Sequence, residues 1–489
     1  MRCVLLDLKI YFSRMHVLLI ALFLTGTVAL NPGIRLLFTQ KGIDYANSMV
    51  VSAIDKEIKS ITLPNQSGQK SYVKYYLEHF TISSFNIPKS DLELASGSGL
   101  TWRATGISMD IKGKFRYKFK KFFVSFSDHG DITVKVRGIA IVLRIQLGVD
   151  GKEKPSIKPN HCTCSIGQVY VTFHGGRALI YNLFKGKVED IVRSQLQTQM
   201  CTIVKSMVEK KAEQSLSTLK VKFNLTKFLT LDCGLISAPS VSADDLQVNL
   251  KGIARMKGDN DPIPFLPSAI SASADETKMT TLIVSEYVFD TLEYQAFKHG
   301  LLTYRITSKD IPDEDMLNTT CSRMCIGMVI PQISQVFPNC KVEANIIANQ
   351  SPKIALHDGS VSMDGTSIIN LSARKPDNSL QTMLRIMAVG SLTIIPSMIN
   401  SVVHAHVGNM SVNVNVTYSA IGAIDSQKLQ YLVDVALSTT IRPMLDRYGA
   451  KGIPLPNVDG FKLQQPEMRL MENEIVFSTN IEKVSTREE

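Results

Sequence analysis

The sequence predicts an α+β protein built from two similar halves, and two observations support that prediction. A leading helix, a long run of alternating strands and a closing helix follow one another twice along the chain. A proline-rich segment at 233–270 lies between the two copies. With 489 residues, of which 44% are hydrophobic and 20% charged, the chain can form two or three domains. Its composition excludes a disordered or collagen-like protein.

The first half opens with an amphipathic helix and continues as a sheet. Apolar residues at helical spacing predict the first helix over 41–58. A second apolar stripe predicts a long closing helix over 177–219. Between them, period-2 alternation predicts antiparallel strands at 77–87, 100–111, 112–126, 132–147 and 169–173.

The second half repeats this plan after the connecting segment, which should hold one strand at 246–254. We expect a helix over 285–299, further strands, a closing helix over 427–448 capped by Gly449, and a last strand at 474–481. The predicted regions are a leader at 1–29, an N-terminal domain at 30–232, the connecting segment at 233–270 and a C-terminal domain at 271–489.

Charge is divided unequally between the halves. The whole chain carries a formal charge of +10, but residues 31–230 carry +15 and residues 231–489 carry −7. A strongly basic half predicts an anionic partner, which can be lipid headgroups, a polyanionic glycolipid or nucleic acid.

The first 29 residues have the pattern of a secretory signal peptide. A basic lead precedes a short apolar core at 16–24, and small residues follow up to Ala29. A membrane anchor needs about 20 apolar residues, more than this core has. N-x-S/T sequons fit an extracellular surface. They predict glycosylation at Asn65, Asn224, Asn318, Asn370, Asn409 and Asn415. Since a secreted protein does not ordinarily meet nucleic acid, we expect an extracellular lipid-binding protein.

Seven cysteines remain after the leader, and in an oxidising compartment most should pair. Cys162 and Cys164 lie on one strand face, so one of them can bridge Cys201 and stabilise the fold by about 3–4 kcal/mol. The pairing of the others stays open; they are Cys233, Cys321, Cys325, Cys340 and whichever of the first two is left. The cluster at 321–340 lacks a fourth zinc ligand, so we expect no metal there.

The sharpest local pattern is a basic run at 110–123. As a strand, the run places five cations on one face and apolar residues on the other. The cations are Lys112, Lys114, Arg116, Lys118 and Lys120, and Lys121 follows them. Aligned cations repel one another in water, but they bind phosphates through charge-assisted hydrogen bonds. The pattern therefore predicts a site for an anionic lipid, with a solvated or lysine-protected strand as the alternative.

Two smaller basic sets are candidates for the same site. Lys56 and Lys59 end the first helix, where cations also suit the helix dipole. Arg177, Lys185 and Lys187 lie at the start of the second long helix. No catalytic or cofactor motif occurs in the sequence, which indicates a protein that is not an enzyme and needs no cofactor. His404 and His406 share a strand face but lack a neighbouring acidic or Cys ligand, so we interpret them as structural.

Four stretches carry a resemblance to a known family. They are Asn31–Gly33 with Thr39–Ala46, Gly234–Pro239 with Leu246–Gly252, Ser285–Phe289, and Gly452–Pro456. In order and spacing these stretches resemble the family of bactericidal/permeability-increasing and lipopolysaccharide-binding proteins, whose relatives include cholesteryl ester and phospholipid transfer proteins.

The resemblance implies a boomerang-shaped molecule of two barrels joined by a central sheet, each barrel holding one phospholipid. It implies a disulfide between Cys162 and Cys201, with an exchanged Cys164–Cys201 pair as the alternative. The run at 110–123 resembles the family's lipopolysaccharide-binding hairpin, which lies at the N-terminal tip. The resemblance also implies that the stretch around Lys185 contributes to endotoxin binding.

Two functions are compatible with these patterns, and a third lacks the residues that it would need. The prediction is a secreted innate-defence protein that binds lipopolysaccharide and phospholipids, is antibacterial or neutralises endotoxin, and contacts a receptor through its C-terminal half. The alternative is an extracellular carrier of phospholipid or neutral lipid, which has little need of five aligned cations. A hydrolase would require a nucleophile–base pair that the sequence does not display.

Overall fold

The computed structural model describes residues 30–59, 62–97, 99–175, 178–311, 313–322, 324–455 and 461–484. The predicted leader at 1–29 and the candidate Arg177 lie outside the described residues.

The N-terminal half is a sheet covered on one face by two helices. It begins with strand β1 (Ile34–Thr39) and helix α1 (Gln40–Ile58). The strands of its eight-stranded antiparallel sheet are β2 (Thr62–Leu63), β3 (Gln66–Lys70), β4 (Val73–Asn86), β5 (Lys89–Ala95), β6 (Gly99–Lys121), β7 (Val124–Val149), β8 (Pro155–Ser165) and β9 (Gln168–His174). The closing helix α2 (Ala178–Met207) continues through a π-helical turn, Val208–Ala212, into α3 (Glu213–Ser217).

One predicted strand boundary in this half is wrong. The sequence suggests separate strands at 100–111 and 112–126, but β6 runs unbroken to Lys121 and the residues from Val124 onward belong to β7. The turn between them consists of Phe122 and Phe123, which are not turn-forming residues, so the sequence does not reveal it. The predicted strand at Cys162 and Cys164 is confirmed as part of β8, but its full extent was not predicted because it contains two prolines, which it accommodates as an edge strand.

Residues 222–256 form five short strands, and the single strand expected at 246–254 is divided into two of them. These are β10 (Lys222–Asn224), β11 (Leu229–Asp232), β12 (Ser240–Val241), β13 (Asp245–Leu250) and β14 (Ile253–Met256). Gly252 separates the last two with a φ of +63°. A Cβ at this glycine would lie 2.8 Å from the carbonyl carbon of Gly33. Strand β14 therefore leaves its neighbour and joins a three-stranded sheet with β10 and β11.

The C-terminal half repeats the order of the N-terminal half. Its elements are β15 (Thr280–Ser285), α4 (Tyr287–Lys298), β16 (Thr303–Ile306), α5 (Ile326–Val329), α6 (Pro331–Val336), β17 (Lys341–Ala348), β18 (Lys353–His357), β19 (Ser360–Arg374), β20 (Leu380–Ile399), β21 (Val402–Ser419), α7 (Ser426–Ala436), α8 (Arg442–Lys451), β22 (Ile453–Pro454), β23 (Phe461–Met471) and β24 (Glu474–Lys483). Two 3₁₀ turns, Ser308–Asp310 and Glu314–Leu317, follow β16, and a π-helical turn, Leu437–Ile441, joins α7 to α8. Strands β16 to β22 form a seven-stranded antiparallel sheet.

The predicted cap of the closing helix is also corrected. Helix α8 continues past Gly449 to Lys451, and Gly452 ends it with a φ of +69°. Gly449 lies inside the helix, at a point where the helix crosses β21 so closely that a larger residue would not fit. A Cβ at Gly449 would lie 2.1 Å from the carbonyl oxygen of Ala405.

A six-stranded antiparallel sheet joins the two halves. Its strand order is β12-β13-β1-β15-β24-β23, so the first and last described strands of the chain belong to one sheet. Leu37, Ile283 and Val476 from three of these strands pack in one buried cluster with Ile270 and Ala272 of the connecting region. Each half also has its own apolar core.

Disulfides cross-link two local regions. Cys162 of β8 bonds to Cys201 of α2, which is the pairing that the resemblance implies. Cys321 bonds to Cys325. Cys164, Cys233 and Cys340 are free thiols. Burial raises the pKa of Cys164 to about 11 and that of Cys233 to about 12, so both thiols are protonated at neutral pH.

Candidate functional site

The predicted basic strand lies on the outer face of the N-terminal sheet. The five cations from Lys112 to Lys120 are exposed, and the residues between them face the core. Ile111, Phe115 and Tyr117 are almost completely buried in the N-terminal core. The alternation of β6 thus places five positive charges along one side of a 23-residue strand.

Strand β4 adds a cation to this face, and carboxylates lie beside two of the five cations. Lys74 of β4 pairs with Lys118 and is itself exposed, which the sequence did not indicate. Glu78 accepts a hydrogen bond from Arg116 Nη2 at 3.0 Å, and Tyr76 lies under the same guanidinium at 4.8 Å. Strand pairing places Lys114 opposite Glu78 on one side and Asp131 on the other.

The remaining cations of this face are uncompensated. Within the described part of the chain, no ion pair forms at Lys74, Lys112, Lys118 or Lys120. An anion that approaches this face therefore does not have to displace a carboxylate from these four residues.

Two hairpin turns meet beyond the end of the basic row. Ser71 and Tyr72 form the turn between β3 and β4, and the Tyr72 carbonyl accepts a hydrogen bond from Lys120 N at 2.9 Å. The β6–β7 turn contains Phe122 and Phe123, whose relative exposures are 82% and 104%. We call residues 70–72 and 120–124 the aromatic tip. Sequence analysis missed its two exposed phenylalanines because nothing in the run marked a turn.

Phe122 is unusual in its backbone as well as in its exposure. Its φ of +49° lies in the left-handed region, where glycine is favoured and a bulky residue costs about 1–2 kcal/mol. A two-residue hairpin turn with this conformation normally places glycine there. The turn thus keeps an aromatic side chain in water at an energetic cost, which points to a role outside folding.

Aromatic side chains support the tip from the inner face of the sheet. Phe119 and Phe126 pair across β6 and β7 and stack with their centroids 4.8 Å apart. Tyr72 contacts Phe119 edge-on at 6.3 Å, and Lys121 Nζ lies 5.0 Å from the Tyr72 ring centroid. This packing holds both turns together.

The other candidate cations belong to the helical layer. Lys59 ends α1 and pairs with Asp55 at 2.8 Å, while Lys56 is exposed beside it. Lys185 lies 4.0 Å from Glu189 on α2, and Lys187 is exposed. Since both helices cover the buried face of the sheet, these four residues are not on the face of the basic strand.

The apolar cavities beneath the two large sheets differ in size. Between the N-terminal sheet and α2 the cavity measures about 30 Å³ and is lined by Phe80, Ile111 and Leu196 among others. Inside the C-terminal sheet an apolar cavity of about 540 Å³ extends from Leu301 to Ile441. Only the second volume falls within the usual range for small-molecule sites, about 300–1,000 Å³.

The predicted glycosylation sites differ in accessibility. Asn65, Asn224, Asn409 and Asn415 are exposed, whereas Asn318 and Asn370 are half-buried.

The histidines predicted to be structural lie on β21. His404 Nδ1 lies 3.0 Å from the Ala450 carbonyl oxygen, and this contact joins β21 to α8. The described residues contain no group of three His, Cys, Asp or Glu that could hold a metal ion.

Comparison with known proteins decides the family. The N-terminal domain profile of the LBP / BPI / CETP family matches residues 42–219, and its C-terminal domain profile matches residues 223–483. The chain belongs to the LBP / BPI / CETP family. As a member of this family the protein is not an enzyme, in agreement with the sequence-based prediction.

Individual relatives match this chain over nearly its full length. Bactericidal permeability-increasing protein of Sebastes schlegelii is 26% identical over 465 residues, covering 93% of this chain and 96% of that protein. Lipopolysaccharide-binding protein of Homo sapiens is 24% identical over 473 residues, covering 95% and 97%.

A solved structure confirms the predicted fold of this family member. The crystal structure of lipopolysaccharide binding protein matches with a TM-score of 0.59 and 23% identity, covering 93% of this chain and 100% of the other. The predicted two-domain α+β architecture is therefore confirmed. Among the described residues of this LBP / BPI / CETP protein, no helix has the length and apolar character needed to cross a bilayer.

Proposed function

We propose that this protein is secreted and binds anionic bacterial lipid of the lipopolysaccharide class through the N-terminal tip. The observation that carries the proposal is the row of exposed cations that ends at two exposed phenylalanines. The name of the human relative states that it binds lipopolysaccharide, and the name of the Sebastes schlegelii relative states that it is bactericidal. A phosphorylated, acylated lipid offers anions to the row and hydrocarbon to the tip.

The two parts of the site act on different parts of the lipid. Lysine and arginine side chains between 112 and 121 bond to phosphates, and an anionic surface attracts each of them by about 1 kcal/mol. Phe122 and Phe123 enter the acyl layer, where burial of a phenylalanine contributes about 1.5–3 kcal/mol. Displacing the divalent cations that bridge the phosphates destabilises the outer leaflet, so the protein is antibacterial or neutralises endotoxin.

The remaining features of the proposal concern the rest of the chain. Exposed sequons at Asn65, Asn224, Asn409 and Asn415 support glycosylation and an extracellular location. The acidic C-terminal half is the candidate for receptor contact. The helical cations Lys56, Lys59, Lys185 and Lys187 can contribute long-range attraction, although they lie in the other layer.

Vesicle binding across a range of salt concentrations tests the tip. The mature chain is compared on lipopolysaccharide and phosphatidylcholine vesicles with a variant, called the tip variant, in which the five cations from Lys112 to Lys120 are changed to Ser. A charge-matched control changes five exposed lysines outside the tip, namely Lys89, Lys152, Lys158, Lys210 and Lys220. Tight, salt-sensitive binding that only the tip variant loses supports the proposal. If the protein binds both vesicle types equally and neither variant changes that binding, the proposal is wrong.

A second function is supported by a different observation. The apolar cavity of about 540 Å³ in the C-terminal half suits a carrier that holds phospholipid or neutral lipid. Transfer of a fluorescent phospholipid between neutral vesicles measures this activity. Transfer that persists in the tip variant separates the carrier function from lipopolysaccharide binding.

A further inference from the structure

We infer that the C-terminal half holds a lipid with an anionic, phosphate-bearing headgroup, its acyl part in the apolar cavity and its headgroup in a neighbouring basic cavity. The inference rests on the lipid-holding part of the proposed function and is independent of the N-terminal tip.

The acyl compartment is open because two glycines face each other. Gly365 of β19 pairs with Gly390 of β20, and both line the cavity of about 540 Å³. Neither glycine has a positive φ, so the backbone does not require glycine at these positions. Leu437 and Ile441 of the π-helical turn close the opposite side. The two missing side chains provide the space.

A second cavity, of about 330 Å³, carries positive charge. It is lined by three cations, Lys309, Arg447 and Lys451, with Tyr448 beside them. Asp310 also lines it, but its carboxylate accepts hydrogen bonds from Thr307 N at 2.8 Å and Thr307 Oγ1 at 2.7 Å. These bonds lower the pKa of Asp310 and hold its charge in the turn.

The three cations are available to a ligand. No ion pair within the described part of the chain involves any of them. They occur in the half of the molecule with a net charge of −7, so general basicity does not explain their clustering. Lys451 Nζ lies 5.3 Å from the Tyr448 ring centroid, which limits its freedom.

The two cavities are lined by neighbouring parts of the chain. Thr440 lines the basic cavity, and its neighbour Ile441 lines the apolar one. Likewise, Tyr304 lines the apolar cavity, and the same chain segment continues to Lys309, which lines the basic one. Adjacent apolar and cationic compartments match the division of a phospholipid into chains and phosphate.

The charge of the basic cavity selects among headgroups. A phosphate gains charge-assisted hydrogen bonds from lysine and arginine. A choline headgroup brings its own cation next to three others, and like charges in proximity oppose binding. The structure therefore favours phosphatidylglycerol over phosphatidylcholine in this half.

Native mass spectrometry of the full-length protein tests the inference. The protein is incubated with vesicles of equimolar phosphatidylglycerol and phosphatidylcholine, the vesicles are removed, and the retained lipids are counted. We expect about a tenfold preference for phosphatidylglycerol, which corresponds to about 1.4 kcal/mol. The variant Lys309→Gln/Arg447→Gln/Lys451→Gln should retain both lipids equally. A charge-matched control, Lys341→Gln/Lys428→Gln/Lys462→Gln, should keep the preference.

Two further variants separate the possible failures. Gly390→Leu fills the apolar cavity and should abolish retention of both lipids without affecting binding to lipopolysaccharide vesicles. The tip variant should keep the phosphatidylglycerol preference even where it loses lipopolysaccharide binding. The inference is overturned if the wild type retains no lipid or retains both lipids equally, or if the triple variant keeps the preference. None of these results depends on the tip.

Discussion

Phe122 combines a left-handed backbone with a solvent-exposed aromatic ring, and both features are unfavourable in the isolated molecule. We expect Phe122→Gly to leave the free energy of unfolding unchanged or to raise it by up to about 1 kcal/mol, because glycine adopts this conformation without strain. Binding to lipopolysaccharide vesicles should weaken by about tenfold, since the buried ring is lost. Urea denaturation and vesicle flotation measure the two effects.

A second exposed aromatic residue provides the control for this prediction. Tyr170 is 49% exposed and lies on β9, away from the tip turns. Tyr170→Ser should not change vesicle binding. If Phe122→Gly binds as tightly as the wild type, the aromatic tip has no role in lipid contact.

Glu293 on α4 gives a pH-dependent prediction. Burial raises its pKa to about 7 from an ordinary value of 4.5, and neighbouring Asp290 and Glu286 add repulsion. The folded state then holds this proton at a pH where the unfolded chain releases it. Stability from this group is therefore highest below about pH 4.5 and declines up to about pH 7. Glu293→Gln should remove that decline and be more stable than wild type at pH 8.

Urea denaturation followed by circular dichroism at pH 5 and pH 8 measures the effect. The amide oxygen of the variant can still accept the hydrogen bond that Glu293 Oε1 receives from Ile354 N at 3.3 Å. An equal shift at both pH values would mean that the proton on Glu293 does not contribute to stability.

At the scale of elements, two glycines on helices should respond to alanine in opposite ways. Gly449→Ala places a methyl group against the Ala405 carbonyl oxygen and should cost about 1–3 kcal/mol. Gly186 on α2 has no heavy atom within 4 Å of a built Cβ, so Gly186→Ala should stabilise by up to about 1 kcal/mol. Thermal unfolding of the two variants compares them directly. Equal shifts of the same sign would contradict the close crossing of α8 and β21.

The elements also show how far sequence patterns reach. The apolar stripes predicted α1 and the long closing helices to within a few residues, because helical periodicity depends on the residues of that segment alone. The alternation of β6 predicted which cations share a face. The turn at Phe122 could not be predicted, because the partner strand and the tip packing impose it rather than local propensity.

At the scale of the whole molecule, the central sheet should couple the two halves. Glu474 of β24 is 2% exposed and accepts hydrogen bonds from Ser271 N and from Ala272 N, the latter at 2.9 Å. Glu474→Gln turns one acceptor into a donor and leaves a buried N–H unsatisfied, which should cost about 1–3 kcal/mol. Trp102 is the single tryptophan and lies in the N-terminal core, so its fluorescence reports on the opposite half.

A shift of the Trp102 unfolding transition in Glu474→Gln would demonstrate that coupling. Glu472→Gln serves as the control because this neighbouring carboxylate is exposed. If the Trp102 transition does not move, the halves unfold independently and the central sheet is only a passive connection.

By itself the sequence determined that the order of elements occurs twice, that charge is divided unequally between the halves, and that five cations form a row. These properties depend on residue type and spacing along the chain, which tertiary contacts do not alter. It also supported the family to which the chain belongs. Only the tertiary structure decided that Lys74 joins the row, that two phenylalanines form the tip and that Gly449 is packed rather than capping. It alone brought Lys309 to Arg447 and Lys451, because residues far apart in sequence become neighbours only when strands and helices pack.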